Sequence, residues 1–103
     1  MSEIPKHFLK FKTEYSEIAN AYEELGNVIH GNSKFDQKTR ALIKLAISTG
    51  AKLEGAVHSH TRKALDAGLT KEEIKEIAIL AIPTIGLPSS MAALSWIDDL
   101  VEK

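Results

Sequence analysis

From Phe8 to Ile29 the apolar residues Phe8, Phe11, Tyr15, Ile18, Tyr22, Leu25 and Ile29 follow one another at steps that alternate between three and four. A chain turning every 3.6 residues brings such positions onto one side, whereas a strand would scatter them over both faces. The spacing therefore predicts one long helix reaching to about residue 32, with Pro5 suited to its first turn. So narrow a seam is what a helix shows when it packs lengthwise along another helix. Its aromatic content exceeds what a solvent-facing arm needs, which points to a subunit contact.

The rest of the chain is punctuated into further helices. After the loop residues His30, Gly31, Asn32 and Ser33, Asp36 is placed to cap a second helix from about Gln37 to Thr49, just before Gly50. Only Arg40, Lys44 and Ser48 form a polar stripe on it, so it is expected to be mostly buried. A third helix, Leu53 to Ala67, ends at Gly68, a left-handed stop. The fourth opens on Thr70-Lys71-Glu72-Glu73, a capping box, and turns wholly apolar from Ile77 to Ile82, which requires enclosure on all sides. Pro83, Gly86 and Pro88 mark the turn to a last helix, about Ser89 to Val101. No strand-like alternation intervenes. The expectation is a single all-α domain over 1–103 with about five helices, a long N-terminal helix (1–32) and a helical core (36–103). Two of its helices carry more apolar surface than a monomer of this size covers, which argues for a homo-oligomer.

With 103 residues there is room for one core and not two. Thirteen basic and fourteen acidic side chains leave a formal charge of -1 without long like-charge runs, so nucleic acid and anionic membranes are not expected partners. The longest charge-free apolar stretch, Ile77 to Met91, is broken by Pro83, Gly86 and Pro88 and is short for a membrane span. No signal-like layout opens the sequence, so a cytoplasmic location is expected. The absence of cysteine excludes disulfides, thiolate metal sites and thiol redox chemistry together.

Reactive side chains are densest in Glu54-Gly55-Ala56-Val57-His58-Ser59-His60-Thr61-Arg62, at the start of the third helix. Glu54 and His58 share a face at a spacing of four, whereas His58 and His60 point to roughly opposite sides. Val57, His60, Ala64 and Ala67 read as the inward set, which places His60 inside and His58 in water. The bland alternative is a core or interface histidine satisfied by a carbonyl, with Glu54 and His58 as a surface pair. A metal ion is not expected, since zinc takes three or four convergent ligands and His7 and His30 lie in other segments. Ser89 and Ser90 lack a nucleophile-elbow frame and read as caps.

From Thr39 onward the sequence resembles the carboxymuconolactone decarboxylase and alkylhydroperoxidase D superfamily. The stretches that carry the likeness are Thr39-Arg40-Ala41-Leu42-Ile43, Leu53-Glu54-Gly55 with His60 five residues on, Ala64 to Glu76, and Gly86-Leu87-Pro88, about two thirds of the chain. The resemblance implies an alkylhydroperoxidase D-like all-α fold in ring-like homo-oligomers, hexameric or trimeric, without a cofactor. The family's peroxidase branch uses a Cys-x-x-Cys pair, and here those positions are Leu53 and Ala56, while the family's glutamate position is Ala41. Thiol peroxidase chemistry is thereby disfavoured. The decarboxylase branch resembles the chain at Glu54-Gly55 and His60, although Ala56 replaces the acidic residue that branch tends to carry. On that reading His60 is the general acid or base, Glu54 orients an imidazole or shares the proton, and Arg40 or Arg62 anchors a small carboxylate or lactone substrate in a lyase-type reaction. The competing reading is a non-catalytic binding or stress-related oligomer that keeps the fold, with these residues as a structural network.

Overall fold

A computed structural model describes residues 4–102, and these are helical almost throughout, with no strand among them. Six helices follow in chain order: α1 (Lys6–Glu14), α2 (Ser16–Gly31), α3 (Gln37–Gly50), α4 (Glu54–Asp66), α5 (Lys71–Ile85) and α6 (Leu87–Val101). The described residues divide into two compact units, 4–34 and 35–102. No helix of the described residues is long and apolar enough to cross a membrane.

In the first unit the single long helix expected from the seam is two helices. Tyr15 leaves the helical region at φ -128°, ψ 52°, and its N–H still donates to the Phe11 carbonyl at 2.8 Å. Lys12 Nζ reaches Glu23 Oε1 at 2.9 Å. On an unbroken helix those residues would be about 16 Å apart along the axis, so α1 folds back beside α2. Phe11 stacks on Tyr15 with centroids 5.9 Å apart, and Phe8 lies 6.4 Å from Phe11. Spacing alone cannot register such a break, because no proline or glycine stands at Tyr15 to announce it. Ala19 is the one buried residue of these two helices.

The second unit holds the core. Leu45 from α3, Val57 and Ala64 from α4, Ile74 and Ala78 from α5, and Ala93 and Ile97 from α6 are all fully buried against one another. Local signals in the sequence set the helix ends. Asp36 Oδ1 accepts from the Thr39 N–H at 2.8 Å, and Thr70 and Glu73 close the capping box at 3.1 and 2.9 Å. Gly68 stands at φ 94°, beyond the last turn of α4. Lys71 and Lys75 on α5 pair with Asp98 and Glu102 at the end of α6, at 3.3–3.4 Å.

Three expectations are corrected, one of helix bounds and two of burial. Pro83 lies inside α5, which runs on to Ile85, and α6 starts at Leu87 rather than Ser89. Pro83 has no N–H for the Ile79 carbonyl and its ring crowds that carbonyl, but with only Thr84 and Ile85 beyond it the disturbance falls in the last turn. On α3 the polar Ser48 is buried while Ile43 and Ile47 are exposed, Ile47 at 64%. The apolar end of α5 is not enclosed by its own chain either: Ile79 and Leu80 are 48% and 62% exposed.

Candidate functional site

α3 and α4 are joined by a tight turn in which Lys52 adopts φ 61°, the left-handed region that costs an L-residue about 1 kcal/mol. The Leu53 N–H then donates to the Ser48 carbonyl at 3.2 Å, and Leu53 becomes the N-cap of α4. This geometry lays α4 back along α3 with Glu54 in its first turn, where a carboxylate complements the helix dipole.

One turn on, His58 shares the face of Glu54. Its Nε2 is 2.9 Å from Asp99 Oδ2 on α6. Ligating atoms of Glu54, His58 and Asp99 all lie within 4.8 Å of one another. The structure thus groups Glu54 with His58 and Asp99. Asp99 is not legible in the sequence as a partner of His58, because 41 positions separate the two and only the packing of α4 on α6 joins them. The Asp98-Asp99 doublet on the last helix was its one visible trace. A carboxylate-held imidazole can take or give a proton in a fixed direction. One imidazole and two carboxylates also match the donor set of a divalent cation, although the 2.9 Å hydrogen bond already satisfies the ring nitrogen.

The inward-outward assignment of the two histidines is corrected. His58 and His60 are both half-buried. The inward positions of α4 are Val57, Thr61 and Ala64 at 0% exposure, with Ala67 only partly buried, so Thr61 occupies the phase expected of His60. A helix advances 100° per residue, and the one-step difference between 60 and 61 swings a side chain from the core to its margin. Arg62 is half-buried on the same helix.

Arg40, near the start of α3, donates from Nη1 to the Phe35 carbonyl at 2.6 Å. Lys44 follows on the same face and is half-buried. Its ammonium is held below the usual lysine range by burial first, then by the like charges of Lys63 and Arg40. Positive charge is therefore concentrated where α3 and α4 run together. Beyond it, α3 and α5 enclose an apolar groove of about 280 Å³, lined by residues that include Thr49, Gly50, Ile77, Leu80, Thr84 and Ile85. Glu54, His58, His60 and both arginines are absent from its lining.

Residues 16–99 match the carboxymuconolactone decarboxylase family, and the chain belongs to it. The nitrosuccinic acid decarboxylase of Metarhizium robertsii is 35% identical over 72 residues, covering 66% of this chain and 50% of that protein. The 4-carboxymuconolactone decarboxylase of Acinetobacter baylyi is 31% identical over 62 residues, covering 60% of this chain and 46% of that protein. The chain thus spans about half the length of these two relatives. A crystal structure of an apo carboxymuconolactone decarboxylase family protein from Legionella pneumophila superposes with a TM-score of 0.74 at 23% identity, covering 92% of this chain and 88% of that one.

Proposed function

We propose that this family member carries out histidine-based acid/base chemistry on a small carboxylate or lactone, in the manner of a decarboxylating lyase. The observation that carries the reading is that the α3–α4 pair bears both kinds of group: Glu54 and His58, which meet Asp99 of α6, with His60 farther along the same helix, and Arg40, Lys44 and Lys63 as positive ground for an anion. Two relatives bear the names of decarboxylases of acidic compounds, which supports the substrate class. Arg40 or Arg62 holds the substrate carboxylate. As the carbon–carboxylate bond breaks, its electron pair remains on the substrate carbon, and His60 delivers the proton that this carbon takes up. Glu54 orients an imidazole or shares that proton.

The test is loss of 4-carboxymuconolactone or nitrosuccinate, followed by absorbance and by release of carbon dioxide. His60→Ala should abolish turnover while His58→Ala retains most of it. Full activity in His60→Ala removes His60 from the mechanism, and loss only in His58→Ala transfers the role to the His58–Asp99 pair.

A second reading is favoured by the groove, whose apolar lining contains none of these acid/base groups. On it the protein is a non-catalytic binder of small apolar molecules. Absence of turnover on either acid, with saturable binding of an apolar fluorescent probe weakened by Leu80→Glu, would decide for that reading.

A further inference from the structure

Where α4 meets α6, the side chains bring together the donors that a metal cation takes. Glu54 and His58 are four residues apart on one face of α4, the spacing at which a single helix lends two ligands to an ion. The third donor is Asp99 of α6, whose Oδ2 stands 2.9 Å from His58 Nε2. Two ligands each roughly 2.1 Å from an ion are about 3.0 Å apart at adjacent corners of an octahedron and about 4.2 Å apart at opposite ones. His58 and Asp99 already stand at the first separation. The Glu54 carboxylate lies within 4.8 Å of both, and rotation about the bonds of its exposed side chain spans the remainder. Charge points the same way. Neither Glu54 nor Asp99 has a lysine or arginine partner among the described residues, whereas the acids beside Asp99 on α6 are neutralised, Asp98 by Lys75 and Glu102 by Lys71 and Lys75. Two carboxylates drawn together without a counter-charge repel one another, and a dication cancels both charges.

We propose that Glu54, His58 and Asp99 form a binding site for a divalent transition-metal ion, held by these three side chains and otherwise by water. The hydrogen that bridges His58 and Asp99 moves to Nδ1 of the ring, and the ion takes its place between the two side chains. An imidazole in the donor set selects ions such as Co²⁺ and Zn²⁺ over Mg²⁺ and Ca²⁺, which take oxygen ligands. Both carboxylates are exposed, which leaves water room at the remaining positions. The ligand that completes the set is a carboxylate from the last helix rather than the distant His7 or His30, and so it is invisible to a search for clustered histidines. The site asks only for binding and stands apart from the lyase reading: it holds whether or not His60 acts on a carboxylate.

The test is titration of the full-length protein, freed of metal with a chelator, with Co²⁺. Calorimetry gives the affinity, and the emission of Trp96 gives the place, since this lone tryptophan stands one turn before Asp99 on α6. One ion per chain should bind and quench that emission, and Zn²⁺ should displace it where excess Mg²⁺ does not. Glu54→Gln and Asp99→Asn keep the outline of each side chain and remove its charge, so helical circular dichroism should stay at the parent's level. Each should weaken Co²⁺ binding by about tenfold or more, as should His58→Ala. His30→Ala and His60→Ala should bind as the parent does. An affinity in Asp99→Asn equal to the parent's overturns the proposal, because α6 then supplies no ligand. A loss in His60→Ala as large as that in His58→Ala overturns it too. Uptake that never saturates, or that Mg²⁺ abolishes, means an adventitious ion only and refutes the site.

Discussion

Thr61 is the residue whose replacement most directly tests how α4 is set into the core. Its side chain is fully buried, and Oγ1 meets no hydrogen-bond partner among the described residues. A buried hydroxyl left without a partner costs on the order of 1–3 kcal/mol, and an apolar group of the same shape removes that cost. Thr61→Val keeps the branched outline and has nearly the same helix propensity. The expected outcome is a gain of about 1 kcal/mol, allowing for imperfect accommodation of the methyl group. For a domain of this size that is a rise of roughly 4–8 °C in the unfolding midpoint. The assay is equilibrium urea unfolding by circular dichroism at fixed protein concentration, since any self-association would otherwise move the midpoint by mass action. An unchanged denaturant slope is required for the comparison. A loss of stability of about 0.5 kcal/mol or more would mean that the hydroxyl is satisfied, and the argument that position 61 faces an apolar core would fail with it.

The helix caps give a pH dependence. The hydrogen bonds from Thr39 hold the Asp36 carboxyl below its ordinary value, those from Thr70 do the same for Glu73, and Lys75 followed by Lys71 does so for Glu102. Because these values are depressed in the folded state, the stability they contribute is present above the ordinary carboxylate range near 4 and is lost as pH falls through the folded-state values. Asp36→Ala should lower stability at neutral pH and flatten that acid loss; an acid profile identical to the parent's would contradict the assignment. Turnover of cumene hydroperoxide with a dithiol donor should be absent, because no sulfenic acid can form without cysteine, and a cysteine-free preparation that reduces it would refute this.

What the sequence determined by itself is what short-range physics governs. Helix starts at Asp36 and Thr70 and the stop at Gly68 were legible because capping is a bargain struck within four residues, whatever the rest of the chain does. The all-helical class followed from periodicity, and the family from Thr39-Arg40, Glu54-Gly55 and His60 at their spacing. Tertiary structure decided the rest. The fold-back at Tyr15, which brings Lys12 to Glu23, is a tertiary arrangement that a seam of apolar letters cannot register. The choice of Thr61 over His60 as the core-facing position turned on a single 100° step, which the packing of α4 fixes and its alternation of small and polar residues does not. Asp99 joined Glu54 and His58 only because α6 lies against α4, and side chains so far apart in the chain meet through the burial of Val57, Ala93 and Ile97 rather than through any local preference.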